Sequence, residues 1–250
     1  MGRFETTART YAAHREPYPP RFFAAVADAL HLAGREALID LGTGPGLLAL
    51  GFAPYVGRIL GVDPEPAMIA EARRAAAAAK VEFPLIEGRA EDVPAALGPF
   101  DLVAIGRALH WLDRGATLAA FDRILAPGGR ILICGSSPFA DEKNPWRPAY
   151  ESVLVAWGDA REGRHHRLHE NWFEGSRFAE IATVTAMHRH KIGPQDLIER
   201  ALTRSTSSPA VLGARLPDFR ADMLAALTPF FPNGVADEVI ESRATIFAAA

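Results

Sequence analysis

Between residues 37 and 134, short apolar runs alternate with longer helical patterns, and this alternation constrains the fold more than any other feature of the chain. Ala37–Leu41, Arg58–Val62, Val81–Ile86, Phe100–Ile105 and Arg130–Cys134 read as strands, each bounded by Gly, Pro or Asp. Gly46–Ala53, Glu65–Ala79 and Asp113–Leu125 read as the helices between them. Strands that are apolar along nearly their whole length belong in a sheet covered on both faces. The expected fold class is therefore α/β: a doubly wound, mostly parallel sheet whose ligand crevice lies at the carboxyl ends of the strands. Those ends fall just after Leu41, Val62, Ile86 and Ile105.

After Cys134 the pattern weakens. Ser136–Asp141 and Pro145–Pro148 read as loop, Glu151–Ala160 and Pro194–Arg204 as helix, Ile181–Ile192 as an edge strand and Arg243–Phe247 as a last strand, which brings the sheet to seven. At 250 residues, one α/β domain accommodates the whole chain. The expected organisation is an N-terminal arm over residues 1–36, a cofactor-binding core over 37–135, and an acceptor-binding lid with the remaining strands over 136–250.

The formal charge of -3 leaves no cationic excess to neutralise a nucleic-acid backbone, so nucleic acid is not an expected partner. The single cysteine, Cys134, excludes an intrachain disulfide framework and fits a reducing compartment, with the cytoplasm as the expected location. No apolar run approaches the ~20 residues that a membrane crossing needs, and the first 20 residues lack the apolar stretch of a signal peptide.

The densest motif is Asp40-Leu41-Gly42-Thr43-Gly44-Pro45-Gly46, between a predicted strand and a predicted helix. Glycines there let the chain turn sharply and let a ligand approach the main chain. The spacing is G-x-G-x-G. Dinucleotide-binding loops use G-x-G-x-x-G, and Leu47 stands where their third glycine belongs. Asp63 closes the second strand, where a carboxylate can accept hydrogen bonds from both hydroxyls of an unmodified ribose. It can equally act as a cap for the helix that follows.

Five segments in order, Asp40–Gly46, Gly61–Asp63, Glu87–Pro94, Phe100–Val103 and Leu125–Arg130, resemble the successive motifs of class I S-adenosylmethionine-dependent methyltransferases. The resemblance covers roughly residues 38–134. It implies a Rossmann-like seven-stranded fold with helical lid elements, and S-adenosylmethionine as cofactor. By the same resemblance Asp40, Gly42, Thr43, Gly44 and Gly46 form the loop at the methionine and ribose portion. Asp63, followed by Pro64, would take the ribose hydroxyls, Met68 would pack against adenosine, Ala90 with Glu91 would recognise adenine, and Arg107 would stand beside the cofactor. Many relatives carry Asp where this chain has Arg89.

Ala108–Asp113 (A-L-H-W-L-D) resembles small-molecule methyltransferases of the trans-aconitate type, as does the segment Tyr11–Pro20. That resemblance implies a strap over the cofactor in which Tyr11, Arg15 and Tyr18 close the methionine end of the pocket; these three residues and Trp111, a wall rather than a catalyst, are the expected substrate-binding residues. His110, whose ordinary pKa is near 6.5, is the candidate general base for an acceptor that must lose a proton. Arg15, Arg107, Arg164 and Arg167 all fall in segments expected near the pocket mouth, where two that converge could bind a carboxylate; the resemblance to trans-aconitate-type enzymes then implies a small anionic acceptor methylated on oxygen. His165 and His169 share a spacing compatible with metal binding, but no third ligand completes a site and no metal is expected. The alternatives to a methyltransferase are an NAD(P)-dependent oxidoreductase and a noncatalytic adenosine-ligand-binding protein of the same fold.

Overall fold

The structure, a computed structural model, describes residues 14–139, 142–158, 171–204 and 206–250. Its strands are β1 (Ala37–Leu41), β2 (Arg58–Asp63), β3 (Leu85–Glu87), β4 (Phe100–Gly106), β5 (Leu125–Pro138), β6 (Phe178–Ile192) and β7 (Ala236–Ala249). They form one sheet in the order β3-β2-β1-β4-β5-β7-β6. The pairings from β3 through β5 are parallel, and β7 lies antiparallel between β5 and β6. The helices are α1 (Pro20–Ala29), α2 (Leu47–Phe52), α3 (Pro66–Ala79), α4 (Arg114–Ile124), α5 (Arg147–Trp157), α6 (Pro194–Leu202), α7 (Pro209–Leu212) and α8 (Leu216–Leu227).

Strand alternation divides the buried side chains between the two faces. Ile39, Val103, Ile105 and Ile131 pack with Phe121 and Ile124 of α4 on one side. Leu38, Leu102, Ala104 and Leu132 pack with Phe22, Phe23 and Val26 of α1 and with Leu48 and Phe52 of α2 on the other. Cys134 is 3% exposed within that second cluster, where it packs as a small apolar residue. A third cluster joins Leu197 and Ile198 of α6 to Phe219 and Met223 of α8 and to Trp146.

Several expected boundaries move. The expected arm over residues 1–36 contains helix α1, which begins at Pro20, a residue suited to a first helical turn, and whose phenylalanines are buried in the core. The strand expected over 81–86 is reduced to Leu85–Glu87. Val81 instead donates its amide hydrogen to Ala76 O at 3.0 Å and closes the end of α3. The last strand runs over 14 residues rather than five, and β5 extends to Pro138, because the two pair continuously from Arg130↔Ala248 to Pro138↔Ile240. The helix expected over 151–160 is Arg147–Trp157, and that expected over 46–53 is Leu47–Phe52 followed by a 3-10 turn. Among the described residues, no helix is long and apolar enough to cross a membrane.

Candidate cofactor and acceptor site

The loop after β1 is folded by its own main chain. Gly42 and Thr43 both donate amide hydrogens to Val62 O, at 2.9 and 3.0 Å, and Gly46 donates to Thr43 O at 2.9 Å. Gly42 adopts φ +69, and a Cβ there would stand 2.5 Å from Ala108 Cβ, so the turn admits only glycine.

Two carboxylates brace this loop. Asp40, 1% exposed, accepts from Thr43 Oγ1 at 2.7 Å and from the Ala49 amide at 3.2 Å. Burial pushes its carboxyl up to about 7 against the pull of those two hydrogen bonds, and the neighbouring charge of Asp63 adds to the rise. Asp63 accepts from the Gly44 amide at 2.8 Å through Oδ2 and from the Glu65 amide at 2.9 Å through Oδ1. Its carboxyl is also raised, mainly by burial. The residue at the N-cap of α3 is Glu65, so the capping role considered for Asp63 becomes a bond to the cap residue's own amide. Each Asp63 oxygen has one protein donor and retains capacity for another, since a carboxylate offers about four acceptor sites.

A cleft of about 350 Å³ opens along the strand ends. Asp40, Gly42, Thr43, Gly44, Asp63, Pro64, Met68, Ala90, Glu91, Arg107, Tyr18 and Trp111 of the sequence-derived set all line it. Gly46 does not. It sits at the N-cap of α2, behind the turn, with φ +82. His110 is not part of the lining either. Its ring leans on Trp111 at 4.5 Å, in the 3-10 turn Leu109–Trp111 that presents Trp111 to the cleft. Arg15 stands outside the lining, and Tyr11, Arg164, Arg167, His165 and His169 lie outside the described residues.

Leu48 and Glu65, which also line the cleft, lay outside the motifs read from the sequence, and Arg89 and Leu112 fell inside such motifs without being assigned to the site. At one end, Glu91 accepts from the Asp113 amide at 2.9 Å and faces Arg89 at 3.2 Å. Burial opposes its ionisation, but these donors hold its carboxyl below the usual range. At the other end, the Arg107 guanidinium lies over the Tyr18 ring, 4.8 Å from its centre. The walls between carry Leu48, Met68, Ala90, Ala108 and Leu112, an apolar lining with a few convergent polar groups, as small-molecule sites have.

Residues 39–133 match the model of a methyltransferase domain. An uncharacterized methyltransferase of Mycobacterium tuberculosis is 28% identical over 238 residues, covering 92% of this chain and 88% of its own. Among solved structures, a provisionally assigned type II methyltransferase from Anaeromyxobacter dehalogenans superposes with TM-score 0.68 at 19% identity, over 94% of this chain and 97% of that one. An S-adenosylmethionine-dependent methyltransferase from Geobacter sulfurreducens, in complex with S-adenosyl-L-homocysteine, superposes with TM-score 0.56 at 18% identity, over 100% of this chain and 99% of that one. At such identities the structural likeness establishes the Rossmann-like class I fold. Residues 39–133 carry a methyltransferase domain within this fold. This chain is an enzyme of the S-adenosylmethionine-dependent kind.

The residues present suit that cofactor. Asp63 has spare acceptor capacity on both carboxylate oxygens, and apolar walls flank it. The cleft volume falls within the ~300–1000 Å³ usual for small-molecule sites.

Proposed function

We propose that the protein transfers the methyl group of S-adenosylmethionine to a small-molecule acceptor, on oxygen, within a single methyltransferase domain spanning residues 1–250. The observation that carries the donor part is the arrangement of Asp63 and the glycine loop: a buried carboxylate oriented by two backbone amides in a cleft with apolar walls and a few convergent polar groups. When bound, the donor supplies a sulfonium methyl that is already electrophilic, so catalysis is mainly positioning of the acceptor in line, at ~3–3.5 Å.

In this reading Asp63 takes the two ribose hydroxyls, Met68 and Ala90 flank the adenine ring, and Glu91 accepts from its exocyclic amine. The sheet order supports that direction. Glu91 follows β3, Asp63 ends β2, the glycine loop ends β1, and Arg107 follows β4, so the amino-acid end of the donor lies between the loop and Tyr18. Trp111, 41% exposed, together with Leu112 shields the reacting centre from water, which favours the loss of charge separation during transfer. His110 lies outside the cleft lining, with its ring on Trp111, so no proton transfer is routed through it. A carboxylate acceptor is ionised at pH 7 and needs no base.

Calorimetric titration with S-adenosylmethionine, S-adenosylhomocysteine and NAD tests the donor. Binding of the first two and not of NAD is the expected result, and binding of NAD alone would overturn the reading. Methyl transfer from labelled donor to a panel of small carboxylic acids and phenols tests the acceptor part, and a protein that binds the donor yet methylates none of them points to the noncatalytic alternative.

A further inference from the structure

Residues 14–18 form a strap that crosses the cleft end of β4, and three side chains from distant parts of the chain hold it. Arg107 donates from Nη1 and Nη2 to Glu16 O, both at 3.1 Å, and from Nη1 to Glu16 Oε2 at 3.2 Å. Ser136 Oγ donates to Pro17 O at 2.9 Å. Arg200 of α6 donates from Nε to His14 O at 3.1 Å and stands 3.8 Å from Glu16 Oε1.

Glu16 is the centre of this arrangement. It is 7% exposed, and Arg15 lies 3.9 Å from its carboxylate, so three guanidinium groups surround one acid. Burial opposes ionisation of Glu16, yet Arg15, Arg200 and Arg107 outweigh it and hold the carboxyl below its ordinary value. Arg200 is itself fixed by a two-pronged pair with the fully buried Glu238. The strap is therefore anchored to α6 and β7 on one side and to Arg107 on the other.

Arg107 carries its own mark of constraint. Its φ is +57, a conformation that side chains other than glycine seldom adopt and that persists where the surroundings over-determine it. Its amide donates to Cys134 O at 3.1 Å, and its guanidinium is stacked on Tyr18. Gly106 beside it makes room for this packing, since a Cβ there would come 2.8 Å from Leu48 Cδ1 and 3.6 Å from Tyr18 Oη.

Building on the donor reading above, we propose that Glu16 is a positioning residue: it sets the Arg107 guanidinium and the Tyr18 ring as the wall of the cleft that receives the amino-acid end of the donor. Glu16 does not touch the donor. It acts through Arg107 and is coupled through Arg200 and Glu238 to α6 and β7.

The test compares two ligands that share the adenosine part, S-adenosylhomocysteine and 5′-methylthioadenosine, the second lacking the amino-acid end. By calorimetry, Glu16→Gln is expected to weaken S-adenosylhomocysteine about tenfold, the size of one charge-assisted contact, and to leave 5′-methylthioadenosine within about twofold. Glu16→Asp, which keeps the charge, restores part of the loss. Arg107→Met, which leaves Glu16 with Arg15 and Arg200, is expected to show the same selective loss and serves if Glu16→Gln does not fold. Equal weakening of both ligands, or no weakening of either, overturns the proposal. A wild-type protein that binds neither ligand removes the donor reading and this assignment with it.

Discussion

The Gly44 amide donates to the Asp63 carboxylate at 2.8 Å, so the loop after β1 and the end of β2 are locked together across the first crossover of the sheet. A carboxylate with two protein donors is oriented before any ligand arrives, and less rotamer freedom is lost when it binds one.

Replacing Asp63 by Ala is therefore expected to weaken S-adenosylhomocysteine binding by about 1.5–3 kcal/mol, through loss of hydrogen bonds to a charged acceptor. Asp63→Asn keeps one acceptor oxygen and falls between the two. Calorimetry on folded variants checks the order, and an unchanged dissociation constant for Asp63→Ala would exclude the ribose role.

The loop itself makes a prediction about stability. Gly42→Ala places a methyl group 2.5 Å from Ala108 Cβ at φ +69, so both the contact and the backbone conformation are strained. A loss of about 2–4 kcal/mol in urea denaturation is expected, the sum of overpacking and a forced left-handed conformation. Gly135→Ala, where a Cβ meets nothing within 4 Å, is the control, and equal losses at the two sites would contradict the packing argument.

Much of this site was legible in the sequence. The motifs of the parallel half place their residues at strand ends, and a strand end in a doubly wound sheet is a crevice, so Gly42, Asp63 and Arg107 meet although they lie far apart in the chain. Gly46 and His110 had the right neighbours and the wrong direction. One begins a helix and the other leans on Trp111, which a linear pattern does not distinguish from facing the ligand. The pairing of Glu16 with Arg107 and Arg200 was not legible at all, because its partners are 91 and 184 residues away and no local periodicity encodes a contact of that span. The length of β7 was hidden for a related reason. Pairing on both sides sustains Ala236–Ala249 as a strand although Asp237, Glu238, Glu241 and Arg243 interrupt its apolar pattern.

Asp40 gives the fold a pH dependence. Its carboxyl, near 7 in the native state, titrates near 3.9 when the chain is unfolded. Between about pH 4 and 7 the native state therefore holds more protons than the unfolded state, and stability from this residue falls as pH rises through that window. It is fully present below the window and lost above it. Asp63, also raised, acts in the same sense, whereas Glu16 and Glu91 are lowered and destabilise the native state as pH falls through their own range. Asp40→Asn keeps an acceptor for Thr43 and Ala49 without the charge. The difference in unfolding free energy between variant and wild type, measured by urea at pH 5 and pH 8, is expected to move in favour of the variant at the higher pH. A difference independent of pH would show that Asp40 is ionised in the native state throughout.

The acceptor is the remaining question, and the structure narrows the argument for an anion. Of the four arginines expected near the mouth, Arg15 and Arg107 do converge, but on Glu16, which offsets part of their charge. Around the strap Arg15, Arg107 and Arg200 carry one charge more than Glu16 and Glu238, which is the local excess an anionic acceptor would meet, while the cleft lining itself also holds Asp40, Asp63, Glu65 and Glu91. Matched carboxylic acids and their neutral amides or methyl esters distinguish the cases. Acids are expected to turn over at least about tenfold faster in kcat/KM, the advantage of one net charge in a partly buried site, and 0.5 M salt should leave most of that advantage, because screening acts mainly on exposed pairs. Arg107→Met should shrink the preference for acids. Equal rates for acids and neutral analogues, unaffected by Arg107→Met, would eliminate the anionic acceptor and leave the methyltransferase standing.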